Sequence, residues 1–301
     1  MTFSVNFNIN INKTNSSSAS TTKCSVNKPL LNFSSNTNNV YSASDAQNQR
    51  TKKVSSANDK IDNLSIYDRE FIKRHTKEIK DIAKRTGLSE NYIKFLISQE
   101  NYRKVAKKTS DGRITVGIGH TDNADSNNKI KEGQKITEAQ ALRFLEQDLK
   151  DKINNAKRYF SSFDTLPQSI KDGLVDISFN RGNNAMSSDE IYRSLRANIN
   201  AGNWAAVTVR MRQEYKPETQ TETAAAIMKR NVYRFLVTIK NLSNEDKKKA
   251  MDLFTRDGVS KTSKGYNENY LQKTIRLLNK YGYETDAKQL QNDWYNVYNS
   301  L

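Results

Sequence analysis

From about Tyr67 onward, apolar positions recur with helical spacing over most of the chain, and the interruptions are short. Phe71, His75, Ile79 and Ile82 follow one another at steps of four, four and three, so they share one face of a helix. His75 on that stripe reads as a core-edge residue and not as a ligand. Gly87 is placed to end the helix, because glycine tolerates the left-handed conformation found at helix C-termini. Ser89 is a suitable N-cap for a second helix through Ile93, Leu96 and Ile97. Two extended stretches follow, residues 102–109 and Ile-Thr-Val-Gly-Ile-Gly-His at 114–120, joined through Asp111-Gly112, a strong hairpin signal. Helical spacing then resumes. Thr137 and Gln140 form a capping box ahead of Leu142, Leu145 and Leu149. Ile170, Leu174, Ile177 and Arg181 trace another helix closed by Gly182, and further helical stretches run near 187–198, 203–214 and 222–240. Beyond these, Ser243 caps a helix containing Met251 and Phe254. Leu271, Ile275, Leu278 and Tyr281 line the next, and Leu290, Trp294, Val297 and Leu301 line the last.

The first 60 or so residues lack such a period. Asn, Ser, Thr and Lys dominate them, with single scattered hydrophobics, and this composition predicts a disordered leader. The short alternation Val5, Phe7, Ile9 and Ile11 could form a strand against a partner. The pattern therefore predicts an α+β protein, predominantly helical with one small hairpin, organised as a leader over 1–64, a main domain over 65–240 and a helical extension over 241–301. The extension reads equally as a small wall- or partner-binding module and as helices that pack back to complete the core. A protein partner, if one exists, would be expected at 1–64 or 241–301.

Composition narrows the chemistry. Of 301 residues, 35% are hydrophobic and 27% charged, and 49 basic against 33 acidic side chains leave a formal charge of +16. Such an excess favours an anionic partner: nucleic acid, an acidic membrane surface or an anionic wall polymer. No zinc-finger spacing, RNA-binding aromatic motif or basic-region pattern is present, which argues against nucleic acid. Cys24 is the single cysteine, so no internal disulfide framework can form. His75 and His120 are the only histidines, too few for a structural zinc site and a poor base for a Ser-His-Asp machine. No metal or cofactor is expected. No apolar run approaches the roughly 18 residues needed to cross a bilayer, and the N-terminal residues have neither the basic start nor the apolar core of a signal peptide.

One residue stands out chemically. Glu100 lies seven, four and three residues after Ile93, Leu96 and Ile97, so it projects from the apolar face near the end of its helix. A carboxyl group there is either turned out to solvent at a frayed end or held at a cleft, where partial desolvation suits a general acid. The helix passes directly into the hairpin, whose glycines permit close backbone approach at a cleft wall.

With these residues in place, the chain resembles the phage-type lysozymes, the endolysin family of muramidases. Glu100 takes the position of the family's catalytic glutamate and Thr115 that of the threonine in its signature. Thr115-Val116-Gly117-Ile118-Gly119-His120 matches the strand that follows. Ile136 to Ala141, Ile177 to Gly182, Ala201 to Trp204, and Lys229-Arg230 resemble later landmarks, so the likeness spans about 87–240. It implies a lysozyme-like domain that cleaves the β-1,4 bond between N-acetylmuramic acid and N-acetylglucosamine. In that frame Glu100 is the general acid and Thr115 helps to place the attacking water. Asn180, Gly117, Gly119 and Arg230 are expected on the substrate side, and His120 is expected to be structural near the cleft.

The chain departs from the family pattern at one point. The second acidic position, nine residues after Glu100, is Thr109, which cannot act as a base. An inverting glycosidase needs a second carboxylate roughly 6.5–9.5 Å from the first. Asp111 could supply it if the hairpin is re-registered, although Asp before Gly112 also serves turn geometry alone. Three readings stay open: a hydrolase in which Asp111 or Thr109 contributes, a lytic transglycosylase using Glu100 alone, and a non-catalytic peptidoglycan-binding scaffold. The resemblance implies glycan strands, and with them anionic wall polymers, as partners. It also implies action at the wall after synthesis in the cytoplasm, through non-classical export, holin-dependent release or dedicated secretion.

Overall fold

The computed structural model describes residues 56–109, 112–121, 130–182, 190–212, 220–256, 260–261 and 267–301. Most of the leader and Asp111 therefore lie outside the described residues. The helices are α1 (Ala57–Asp62), α2 (Glu70–Arg74), α3 (Thr76–Thr86), α4 (Glu90–Glu100), α5 (Glu138–Tyr159), α6 (Gln168–Arg181), α7 (Glu190–Asn200), α8 (Trp204–Arg210), α9 (Glu222–Thr238), α10 (Asn244–Arg256), α11 (Tyr270–Lys280) and α12 (Glu284–Tyr298). Strands β1 (Arg103–Lys108), β2 (Ile114–Gly117) and β3 (His120–Thr121) form an antiparallel sheet in that order, and β4 (Ser260–Lys261) pairs with β5 (Asn267–Glu268). The architecture is thus mostly helical with a small antiparallel sheet.

The helix boundaries follow local chemistry. The Ser89 side chain accepts the Tyr92 N–H, and Thr137 and Gln140 form the reciprocal capping box. Gly87 closes α3 at φ +69°. Where one helix was expected from about Tyr67 to Gly87, there are two. His75 at φ −113°, ψ 27° breaks the run into α2 and α3, and its ring packs on Phe71 while Nε2 meets Glu138 at 2.7 Å. The leader ends earlier than composition predicts: Ser56 caps α1 with Asp59, and Ala57, Ile61 and Leu64 are buried. Those three apolar residues stand four and three apart, one helical face, but the stripe is too short to stand out beside the polar stretch before it, and only the core that receives them shows that they are buried.

Helices α4, α6 and α9 run through the interior, and on α9 Met228, Val232, Tyr233, Phe235 and Leu236 are buried. On α4, Tyr92, Ile93, Phe95, Leu96 and Ile97 are all buried. On α6, the apolar Ile170, Leu174, Val175 and Ile177 share the interior with Asp172, Asp176 and Ser178. Helix α6 packs against α5, α8 and α9, and α4 against α3 and α9. At Gly173 an added Cβ would lie 2.4 Å from the Met211 sulfur and 2.8 Å from a Thr238 methyl, so glycine sets how closely α6 is approached. The last three helices pack onto the same core. Helix α10 lies on α8, α11 on α9 and α12 on α1, and Phe254, Leu290, Trp294 and Val297 are buried there.

Candidate active site

Glu100 is the last residue of α4, and its side chain is 23% exposed. Its Oε1 accepts a hydrogen bond from Arg230 Nη1 at 2.5 Å. The same guanidinium donates through Nη2 to Asp176 Oδ1 at 2.7 Å, and the other Asp176 oxygen is bonded to Arg234 Nε. Arg234 also donates to the Asn231 side chain at 2.8 Å and to the Met211 carbonyl at 3.1 Å. Arg230 and Arg234 are four residues apart on α9, so one helix face presents both guanidiniums to α6. Burial opposes the ionisation of Asp176, but the two guanidiniums overcome it and hold that carboxyl below the usual carboxylate range. Asp176 is fully buried and fixes Arg230, and Arg230 fixes one oxygen of Glu100.

The opposite wall of this cradle is Gly119. A Cβ there would stand 2.9 Å from Glu100 Oε2 and 3.1 Å from its Cδ, so any side chain would displace the carboxylate. The expected return strand is in fact two strands. It bends at Gly117 (φ +64°) and Gly119 (φ +71°), then continues as β3 antiparallel to β2, with Val116 opposite His120 and Thr115 opposite Thr121. Two glycines two residues apart permit this reversal. On the far edge of β1, the backbone of residues 133–136 is bonded to Lys104 and Ala106.

Between helix and sheet stands Asn101, at φ 56° and ψ 153°. That region suits glycine and costs a larger residue on the order of 1–3 kcal/mol. Asn101 is the sole non-glycine residue at positive φ among those described. Its side-chain oxygen accepts from Arg69 Nη1 at 2.5 Å.

Residues 97–232 match the family model described as phage lysozyme. Over 111 residues the chain is 32% identical to the endolysin of Salmonella phage P22, an alignment that covers 36% of this chain and 72% of that protein. The chain belongs to the phage lysozyme family. Among solved structures, it is similar to the muramidase domain of SpmX from Asticaccaulis excentricus, with 24% identity, TM-score 0.41, and coverage of 50% of this chain and 97% of that one. It is also similar to a P22 lysozyme mutant (25%, TM-score 0.38, 50% and 97%) and to the active form of the P1 phage endolysin Lyz (15%, TM-score 0.44, 56% and 96%). As a phage lysozyme the protein is a glycoside hydrolase of the muramidase class, which acts on the peptidoglycan of the cell wall.

The positions singled out in this lysozyme's sequence are not all alike in the structure. Glu100 and Gly119 meet directly. Gly117 instead faces helix α5 and its approach, 3.2 Å from the Ala141 Cβ and 3.3 Å from Ile136 Cδ1 at an added Cβ, so close packing explains it. Arg230 is directed at Glu100 and Asp176 and is 10% exposed at its side chain. The Thr115 and Thr121 hydroxyls are 3.3 Å apart. The Thr109 hydroxyl donates to the Arg113 carbonyl at 2.9 Å and so closes the hairpin turn. His120 is stacked on Phe144 at 4.4 Å, and its Nδ1 lies 2.9 Å from Asp148. Asn180 has its side-chain nitrogen buried without a protein partner among the described residues.

Sequence reasoning missed Asp176, Arg234 and Arg69. Asp176 is one residue before Ile177 in a helix read for its apolar stripe, and only the packing of α9 shows that its neighbours are guanidiniums. Nothing in the local sequence of Arg69 or Arg234 marks them. No group of His, Cys, Asp and Glu able to hold a metal occurs among the described residues, and no described helix is long and apolar enough to cross a membrane.

Proposed function

We propose that Glu100 is the general acid that protonates the glycosidic oxygen between N-acetylmuramic acid and N-acetylglucosamine. The observation that carries this reading is the cradle. One carboxyl oxygen is held by a guanidinium that is itself fixed by a buried aspartate, and the other faces a glycine wall. Such preorganisation costs no rearrangement when charge develops, and acid catalysis of this kind contributes about 10²–10⁴-fold. Oε2, the oxygen beside Gly119, is the proton donor in this assignment, because Oε1 is engaged by Arg230.

In the hydrolytic reading, water adds to the anomeric carbon as the bond to the leaving oxygen breaks. Thr115, paired with Thr121, orders that water, and Asn180, half-buried near the end of α6, is assigned to a sugar. Asp111 remains the candidate for the second carboxylate and lies outside the described residues. Thr109 is less suited to water, since its hydroxyl already donates to the turn. That same observation favours a second reading. With a neutral residue where the family carries an acid, Glu100 alone gives its proton to the leaving oxygen. It then takes one from the sugar's 6-hydroxyl, which closes a 1,6-anhydro ring. For residues 241–301 we propose a bracing role and not a separate module, because α11 and α12 pack on α9, the helix that carries Arg230.

Purified peptidoglycan incubated with wild type and with Glu100→Gln, the fragments read by mass spectrometry, tests both readings. Reducing-end sugars from wild type alone support hydrolysis, and 1,6-anhydro ends support transglycosylation. Sacculus binding without fragments from either protein overturns both and leaves a glycan-binding scaffold.

A further inference from the structure

We propose that Arg69 is a positioning residue for Glu100 and acts through the backbone of Asn101. The proposal rests on the assignment of Glu100 as the catalytic acid. Asn101 must end α4 with its N–H on the Ile97 carbonyl and, in the same residue, turn the chain toward β1. It does so in a conformation that glycine adopts freely and asparagine does not. A residue in such a conformation relaxes unless its surroundings hold it, and beside the helix-end bond to Ile97 and the β1–β2 pairing the side-chain hold here is the Arg69 guanidinium on the Asn101 side-chain oxygen.

The geometry explains why this turn matters to Glu100. Backward from Asn101, the end of α4 sets the carboxylate against Arg230. Forward, β1 pairs with β2, and the chain beyond β2 carries Gly119 to the other side of the same carboxylate. One residue therefore controls the relation between both walls of the cradle. A would-be Cβ contact of 2.9 Å at Gly119 shows how little slack it has. Arg69 is anchored to do this. It is the N-cap of α2, its backbone is extended, and α2 and the short 3-10 turn Ser65–Tyr67 both pack on α4. Arg69 also lies outside the stretch 97–232 that matches the family, so the hold comes from a part of this chain beyond that match.

Arg69 has one other opportunity. With Ser65, Asp68, Lys229 and Asp286 it lines a crevice of about 210 Å³, where it would meet substrate directly. The Lys229 and Asp286 groups there are already paired with each other at 2.6 Å. The two roles separate kinetically.

The experiment measures kcat and KM on soluble peptidoglycan fragments, and Tm, for the full chain carrying Arg69→Ala, Asn101→Ala, Asn101→Gly, or Arg69→Ala with Asn101→Gly. Misplacing a catalytic group by about 1 Å can cost up to 10²-fold. We expect Arg69→Ala and Asn101→Ala each to lower kcat by about 10-fold while KM stays within about twofold. Asn101→Gly should keep kcat within about twofold of wild type, because glycine needs no hold, and adding Arg69→Ala to it should change little further. A purely structural arginine would lower Tm equally in both backgrounds without this kcat pattern. If Asn101→Gly loses as much kcat as Asn101→Ala, or if Arg69→Ala raises KM and spares kcat, the proposal is overturned. Glu100→Gln in parallel separates the two failures. Retained activity there overturns the acid assignment, whereas an anomaly confined to the Asn101 series overturns only the positioning role.

Discussion

Helix α9 presents two faces that are held in opposite ways. Toward α4 and α6 it offers Arg230 and Arg234, which meet Asp176 and Glu100 through hydrogen bonds of fixed direction. Toward the C-terminal helices it offers Phe235, whose ring lies 4.3 Å from that of Phe254 and 5.6 Å from that of Trp294. Phe254 in turn meets Tyr270 edge-on at 5.3 Å, and Arg212 lies over the Tyr270 ring at 4.4 Å. The aromatic face gains by area removed from water, a non-directional term that tolerates small shifts. The charged face gains little net stability, because desolvation offsets much of the attraction, but it aims each group. The comparison teaches that the protein places its carboxylate with the directional face and keeps the helix in place with the other.

The largest expected effect lies on the aromatic face. Trp294→Ala removes the largest fully buried side chain and should cost about 3–5 kcal/mol in urea unfolding. The fraction that remains folded should cleave peptidoglycan at close to the wild-type kcat. A kcat that falls much further than the folded fraction would show that the two faces are not separable in this way.

A smaller effect tests the buried carboxylates of α6 against each other. Asp172 has no guanidinium partner among the described residues and accepts from the Ser89 N–H at 3.1 Å and from Gln168 at 3.0 Å. Burial raises its pKa from the ordinary 3.8 to about 6, opposed by those hydrogen bonds. The native state therefore prefers the protonated form. The stabilisation is fully present below about pH 3.8 and is lost as pH rises through about 6. Two pH units correspond to about 3 kcal/mol, so Asp172→Asn should raise stability at pH 7 by up to that amount and flatten the pH 4–6 slope. Equal slopes in both proteins would mean that Asp172 is ionised without penalty. Asp176, with its two arginines, should show the reverse sense.

The smallest of these effects concerns the cradle alone. Gly119→Ala puts a methyl group 2.9 Å from Glu100 Oε2 and places alanine at φ +71°. We expect about 1–2 kcal/mol lost on unfolding and about a 10-fold fall in kcat. Gly117→Ala, which meets Ala141 and Ile136 and not Glu100, should lose stability with far less effect on kcat. A similar kcat for both variants would remove the special role of Gly119.

Much of this is legible in the sequence. The stripes that build α4, α6 and α9, the Ser89 cap, the Thr137–Gln140 box, the glycine stops at 87 and 182, and the placement of Glu100 at a helix end all follow from spacing within a few turns. Local rules suffice there because helix periodicity and capping are satisfied by residues close in sequence. The break at His75 was not legible, because the apolar stripe runs through it unbroken and the ring's partner, Glu138, is 63 residues away. Nor was the burial of α1, whose apolar residues find α12 more than two hundred residues later. The partners of Glu100 were hidden for the same reason. Arg230 is 130 residues from it, and Asp176 looked like one more polar position on a helix. The sequence alone singled out Glu100 as the candidate acid and determined the helix that presents it. Only the tertiary structure decided which charges flank that acid and which glycine walls it in. It also decided that an arginine far upstream holds the turn beside it, because desolvation and hydrogen-bond direction exist only once distant segments are packed together.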